Sequence, residues 1–189
     1  MAEPTALADL ALEASTCTQC PLSEHRTQVV FGVGDPRAEL MFIGEAPGRD
    51  EDLQGEPFVG RSGKLLDRLM AEELGIDRRA CYIANVVKCR PPDNRDPRPI
   101  EIATCRPYLS AQIELIQPTV VVTLGNFAMK LLLETTDGIR SVRGRSYPFG
   151  PGHLVPTYHP AAALRSGGAV VDEMRSDLIR AKRLLGWAS

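Results

Sequence analysis

Short apolar runs, set between stretches with helical spacing, constrain this chain more than any other feature. Leu40-Met41-Phe42-Ile43, Cys81 to Val87 and Val120 to Leu124 are too short for helices and lack a regular polar alternation. Strands buried on both faces read this way, and such strands belong to parallel sheets with helices on either side. Between them, Gly63 to Leu74 sets Leu65, Leu66, Leu69 and Met70 on one side and stops at Gly75. Pro99 to Ile116 has proline at its start, and Phe127 to Leu133 follows Gly125-Asn126, both as helices begin. His153 to Tyr158 reads as a further strand and Asp172 to Leu185 as a closing amphipathic helix. Near the start, Thr5 to Ala14 spaces Leu7, Leu10 and Ala14 helically and runs into Cys17-Thr18-Gln19-Cys20. The expectation is an α/β fold in a single domain over residues 1–189: a parallel sheet flanked by helices in three layers, with the segment 5–20 packed on it.

Composition narrows the partners less than charge placement does. With 22 Lys+Arg against 24 Asp+Glu the net charge is −2, so no strongly basic nucleic-acid binder is visible in the total. The total conceals two opposed regions. Glu39 to Glu56 holds six acids against Arg49, whereas Gly138 to Val171 holds Arg140, Arg143, Arg145 and Arg165 with no acid, a face on which a polyanion could dock. No stretch nears the roughly 18 consecutive apolar residues of a membrane helix, and Met1-Ala2-Glu3-Pro4 lacks a secretion signal's basic and apolar regions. A cytoplasmic, monomeric protein without membrane contact is expected.

Five cysteines in a reducing compartment do not make a disulfide framework. Cys17 and Cys20 form a two-ligand claw, and Cys89 and Cys105 form a second pair that only the fold can bring together. Cys81, inside a strand, reads as a small buried thiol. Spacing leaves structural zinc, buried thiols and an iron–sulfur cluster all open, with zinc slightly ahead.

Gly44-Glu45-Ala46-Pro47-Gly48 follows the first apolar strand and so sits where open α/β sheets bind ligands. It matches neither GxGxxG nor GxxxxGK[ST], which leaves a nucleotide-binding reading without support. Downstream, Gly55-Glu56-Pro57-Phe58-Val59-Gly60 places an aromatic between glycines just before a helix. Asn85 stands in an apolar strand, and His159-Pro160 follows the last one. Taken singly, Phe58 reads as core, Asn85 as a satisfied buried amide and His159 as incidental.

Together these segments resemble the family 4 uracil-DNA glycosylases. The resemblance runs from Cys17 to about Arg165 and rests on Gly44 to Gly48, Glu51-Asp52, Gly55 to Gly60, Asn85-Val86-Val87-Lys88-Cys89-Arg90-Pro91-Pro92-x-Asn94-Arg95, and His159 to Arg165. It implies a 4Fe-4S cluster on Cys17, Cys20, Cys89 and Cys105, overriding the preference for zinc, and a uracil pocket at the strand ends of a three-layer fold. The implied substrate is uracil-containing DNA. Because a base cannot be excised from within the stack, the nucleotide is flipped into the pocket. Phe58 would stack on the pyrimidine, and the Asn85 amide would accept from N3–H and donate to O4, a pairing that cytosine reverses. His159, as neutral imidazole, would donate to O2 as negative charge develops there. Ala46 stands where the best-known branch has a water-positioning aspartate, so Glu51 and Asn94 are expected to orient water while Glu45 shapes the pocket. Leu164 and Arg165 would fill the gap left by the flipped base, and Arg140, Arg143 and Arg145 would contact phosphates. A non-turnover, abasic-site-trapping relative is the first alternative; the short, histidine-free Lys88 to Cys105 stretch argues against it. An electron-transfer protein ranks last, for want of the compact cysteine run of ferredoxins.

Overall fold

The computed structural model describes residues 4–187. Its helices are α1 (Pro4–Ser15), α2 (Arg49–Gln54), α3 (Arg61–Leu69), α4 (Pro99–Ile116), α5 (Asn126–Leu133), α6 (Ile139–Val142), α7 (Pro160–Ser166) and α8 (Gly168–Leu184). Its strands are β1 (Val33–Gly34), β2 (Leu40–Gly44), β3 (Tyr82–Asn85), β4 (Val120–Leu124), β5 (Tyr147–Phe149) and β6 (Gly152–Thr157). They form one six-stranded sheet in the order β1-β3-β2-β4-β6-β5.

The apolar runs explain the layering. In β2, Met41 and Ile43 face a core shared with Leu7 and Ala14 of α1 and Tyr108, Leu109 and Ile116 of α4. Leu40 and Phe42 point to the opposite core, against Leu65, Leu66 and Leu69 of α3 and Met174, Leu178 and Ala181 of α8. The residues of β2, β3 and β4 are all buried, on one face or the other, which is why the runs show no polar alternation. The three-layer α/β/α arrangement is as expected.

The sheet is not wholly parallel, which corrects the expectation. The four central strands are parallel, but β1 pairs antiparallel with β3 and β5 antiparallel with β6. Both edge strands are only two or three residues long, too short to leave an apolar run. β5 and β6 join through Gly150-Pro151, and a tight hairpin of this kind is open only to antiparallel neighbours. The helix expected over Gly63 to Leu74 is α3 followed by a π-helical turn, Met70–Leu74, ending at Gly75 with φ of +72°.

The order also fixes where a ligand goes. The chain leaves β2 toward β3 on one side and leaves β4 toward β6 on the other, so the strand order reverses between β2 and β4. In open α/β sheets such a reversal opens a crevice outside the carboxyl ends of the strands. Among the described residues no helix is long and apolar enough to cross a membrane.

Candidate active site

That crevice is a cavity of about 530 Å³. Glu45 to Gly48 after β2, Asn85 at the end of β3, Gly125 to Phe127 after β4 and Tyr158-His159 after β6 all face it. Asn94, Arg95 and Asp96 close one rim and Arg165 of α7 another. Of the residues expected from the sequence, Glu45, Ala46, Glu51, Phe58, Asn85, Asn94, His159 and Arg165 are brought together here. Leu164, Arg143 and Arg145 are not among the lining residues.

Phe58 takes a left-handed backbone conformation, φ of 55°, which is costly for a bulky residue and persists only where surrounding contacts hold it. The contacts are present. Arg78 donates to the Pro57 carbonyl at 2.5 Å and to the Phe58 carbonyl at 3.2 Å. Val59 and Gly60 each donate a backbone N–H to Glu51 Oε1 at 3.0 Å, while Gly48 donates to Glu51 Oε2 at 3.2 Å. A Cβ on Gly63 would lie 1.7 Å from the Phe58 carbonyl oxygen, so only glycine fits there. Glu51, expected to orient water, therefore spends both carboxylate oxygens on three backbone donors and ties the Phe58 loop to the Gly48 turn.

Asn85 is paired in register with Gly44 across β3 and β2. A Cβ on Gly44 would come within 2.5 Å of both Asn85 Oδ1 and the Phe58 ring, so the bare glycine is what lets the amide and the ring approach the same space. The Asn85 residue is only 2% exposed, and its side-chain amide has no hydrogen-bond partner among the described residues. The amide opens onto the cavity it lines, so its acceptor and donors are free for a ligand there.

His159 lies 5.6 Å from the Phe58 ring, centroid to centroid. The Ala161 N–H donates to its Nδ1 at 3.1 Å, which fixes the proton of the neutral ring on Nε2. Burial, reinforced by Arg165, pushes the imidazole down to about 4, so at neutral pH it is an uncharged donor. Glu45 moves the other way: burial first, then the Asp96 charge, raises its carboxyl to about 7. Asn94 is also left-handed, φ of 54°, and its Oδ1 accepts from Arg90 Nε at 2.6 Å. Arg95 is fixed by a two-pronged pair with the buried Glu101, at 2.9 and 2.6 Å.

One expected phosphate contact is corrected. Arg143 donates to Asp177 at 2.9 and 3.0 Å and to Glu173 at 3.1 Å, and its guanidinium lies over the Tyr158 ring. Its side chain is 14% exposed, so its donors are committed inward, tying the segment after α6 to α8. Arg140, Arg145 and Arg165 are exposed, as is Leu164.

On the far side of β3, Cys17, Cys20, Cys89 and Cys105 line one mainly apolar pocket with Arg26, Lys88 and Tyr108. Arg26 Nη1 donates to Cys89 Sγ at 3.4 Å, and the Lys88 backbone N–H donates to Cys105 Sγ at 3.3 Å. As free thiols, Cys89 and Cys105 are held protonated by burial, Cys89 up to about 11 despite the lowering influence of Arg26. No three or more His, Cys, Asp or Glu among the described residues converge as ligands of a single metal ion do. Cys81 lies apart, fully buried and raised to about 12, beside Met70.

A model of the uracil DNA glycosylase superfamily matches residues 31–181. The chain is 49% identical over 160 residues to the type-4 uracil-DNA glycosylase of Sulfurisphaera tokodaii, covering 80% of this chain and 73% of that one. This chain belongs to the type-4 uracil-DNA glycosylases. The Archaeoglobus fulgidus member is 46% identical over 166 residues, covering 84% of this chain and 83% of its own. A type-5 relative from Thermus thermophilus shares 33% identity over 177 residues, 83% of this chain and 80% of its own.

Sequence reasoning missed Arg78, Tyr158, Asp96 and Asn126 at or behind this site. Asn126 had a local signal, since it follows Gly125 at a helix start, and its Oδ1 accepts the Ile139 N–H at 2.9 Å. Arg78 had none: it reaches Phe58 across twenty residues of chain.

Proposed function

We propose that this chain excises uracil from DNA, hydrolysing the N-glycosidic bond of a flipped nucleotide and leaving an abasic site. The reading includes action as a cytoplasmic monomer. The observation that carries it is the Asn85 amide, without a protein partner among the described residues and open to the cavity, beside a ring that can stack on a flat base.

The flipped uracil lies against Phe58, a contact worth about 1–3 kcal/mol but indifferent to which base is present. Asn85 supplies the choice, accepting from N3–H and donating to O4. As the glycosidic bond lengthens, negative charge moves onto uracil O2, and His159 donates its Nε2–H there. The neutral imidazole suits this role because it stabilises the anion without adding a positive charge beside an oxocarbenium-like sugar. Glu45, titrating near neutrality, accepts the proton of the water that attacks the sugar. Asn94 flanks that water, and Glu51 acts as a positioning residue by holding the Phe58 loop. Leu164 enters the vacated stack, and Arg165, Arg140 and Arg145 meet the phosphates.

The four-cysteine site fits a 4Fe-4S cluster held by Cys17, Cys20, Cys89 and Cys105. A zinc ion needs all four sulfurs about 2.3 Å from one point, whereas thiols spread around a shared apolar pocket, two of them receiving N–H donors, suit a larger cluster. Such a cluster supplies a thiolate-bound cross-link between α1's trailing segment, the strand-end loop and α4. Incubation with a uracil-containing oligonucleotide, followed by alkali cleavage at abasic sites, tests the function: cleavage at the uracil supports it, and an intact strand refutes it.

A further inference from the structure

Lys88 is a cation with 1% of its surface exposed, and the mechanism above gives it nothing to do. Its ammonium donates to the Asn85 carbonyl at 2.8 Å and to Gln112 Oε1 at 2.5 Å, and it lies 5.9 Å from the Phe31 ring centroid. Gln112, wholly buried on α4, passes the contact on by donating to the Phe31 carbonyl at 2.8 Å and to the Tyr82 hydroxyl at 3.2 Å. Every polar group in this network has a partner, but the charge does not. Lys88 forms no ion pair with a carboxylate among the described residues, and a buried ion without a counter-ion is strongly disfavoured.

Lys88 does line the cysteine pocket, together with Cys105, on α4, and Cys89, the next residue in the chain. The Lys88 backbone N–H donates to Cys105 as well. The residue therefore stands between two sites: it lines the cysteine pocket, with its backbone N–H on Cys105, and its ammonium holds the residue whose amide faces the uracil pocket. Neighbouring residues of this stretch are pinned to β2's end: Val86 N–H to the Gly44 carbonyl at 2.9 Å and Val87 N–H to the Glu45 carbonyl at 3.1 Å. The Asn85 carbonyl is left to Lys88.

We propose that Lys88 is the positioning residue through which the four-cysteine site holds the base-reading end of β3: its charge balances the thiolates of a bound cluster, and its hydrogen bond sets Asn85. This inference rests on the cluster-bearing, uracil-excising reading above. It gives the cysteine site a consequence in the pocket beyond holding chain segments together, and it makes Gln112 the second arm of the same device.

The test compares the anaerobically purified protein with Lys88→Met, which keeps the length and removes charge and donors. Two quantities are read on folded protein: the rate at which a chelator removes iron, and inhibition of excision by free uracil, which reports the pocket alone. The expected result is iron release at least about tenfold faster and uracil inhibition about tenfold weaker, both unmoved by any change in melting temperature. A folded Lys88→Met protein with wild-type values of both overturns the proposal, as does a change in only one. If Lys88→Met does not fold, Gln112→Met decides: it frees the ammonium but keeps the charge, so weaker uracil inhibition with wild-type iron release supports the coupling, and unchanged inhibition overturns it. A wild-type protein with no iron, or with no excision, would instead defeat the functional reading on which the proposal stands.

Discussion

Two sites lie at the ends of one five-residue stretch, Asn85 to Cys89, and they treat polar groups in opposite ways. At the Asn85 end, the pocket leaves an amide without a protein partner and holds an imidazole and a carboxyl well away from their ordinary pKa values. At the Cys89 end, sulfurs receive N–H donors from Arg26 and from the Lys88 backbone within an apolar pocket. Unspent hydrogen-bonding capacity and displaced pKa values belong to a place where something reacts. Satisfied donors in dry surroundings belong to a place where something is held. Substitutions in the first should therefore change rates and leave metal content alone, and substitutions in the second should remove metal and reach the pocket only through Lys88.

The largest effects are expected from the two displaced titrations. Glu45→Gln should slow single-turnover excision by about 10²–10⁴, the range for losing a general base. In the unaltered protein the rate should climb as pH rises through about 7, because only the ionised carboxylate takes the proton, and Glu45→Gln should flatten that climb. A retained climb would move the base elsewhere. His159→Ala should cost about 10²–10³ with little loss of DNA affinity, as removal of one anion-stabilising donor does. Its sign in stability is distinct: the folded ring resists protonation down to about 4 while the unfolded ring takes a proton near 6.5, so stability should fall as pH drops between those values. His159→Ala should lose that part of the acid sensitivity, read as melting temperature against pH. Iron content should be unchanged in both variants; a loss would erase the distinction between the sites.

At the other end, Cys89→Ser should remove iron and lower the melting temperature, whereas Cys81→Ser should keep the iron of the parent protein. Protein purified without oxygen should be brown, with broad absorbance near roughly 400 nm. A colourless preparation with stoichiometric zinc would overturn the cluster.

How much of this the sequence displayed follows from how local each feature is. The places of Gly44 to Gly48, Asn85 and His159 were legible because each sits at or just past the end of an apolar run, so strand and ligand-facing loop are adjacent in the chain, whereas their roles came only from the family resemblance. The edge strands β1 and β5 were not, since two or three residues carry no period. Arg143 was misjudged for a related reason: its stretch holds no acid, but the carboxylates it meets lie about thirty residues later on α8. Glu51 showed its charge and hid its partners, because backbone N–H groups leave no mark in composition. Lys88 read as one letter of a motif, and only burial shows that its charge needs an answer.

A smaller change than those at Glu45 or His159 probes the direction of hydrogen bonds within the pocket. Asn85→Asp keeps the shape and removes the donor, setting a carboxylate acceptor against uracil O4. Uracil should lose about 1–3 kcal/mol of recognition while the amino group of cytosine gains an acceptor, so the uracil-over-cytosine excision ratio must fall. Matched oligonucleotides measure it. An unchanged ratio would return Asn85 to the ordinary buried residues of β3 and remove the contrast on which the two sites differ.

The smallest effect on function separates two arginines that the sequence could not tell apart. Arg165 is exposed at the pocket rim, so Arg165→Met should weaken binding to all DNA sequences alike and reduce the slope of log affinity against log salt by about one, the signature of a single lost phosphate contact. Arg143 has its donors turned to Asp177 and Glu173, so Arg143→Met should leave that slope unchanged. Its cost falls on the fold instead: Asp177 is left buried without its partner, which destabilises by about 3–5 kcal/mol in comparable pairs. Denaturant melts and salt titrations on the same two variants give both readings. Should Arg143→Met flatten the salt slope while leaving stability intact, the guanidinium leaves Asp177 for phosphate when DNA arrives, and the inward clamp describes only the free protein.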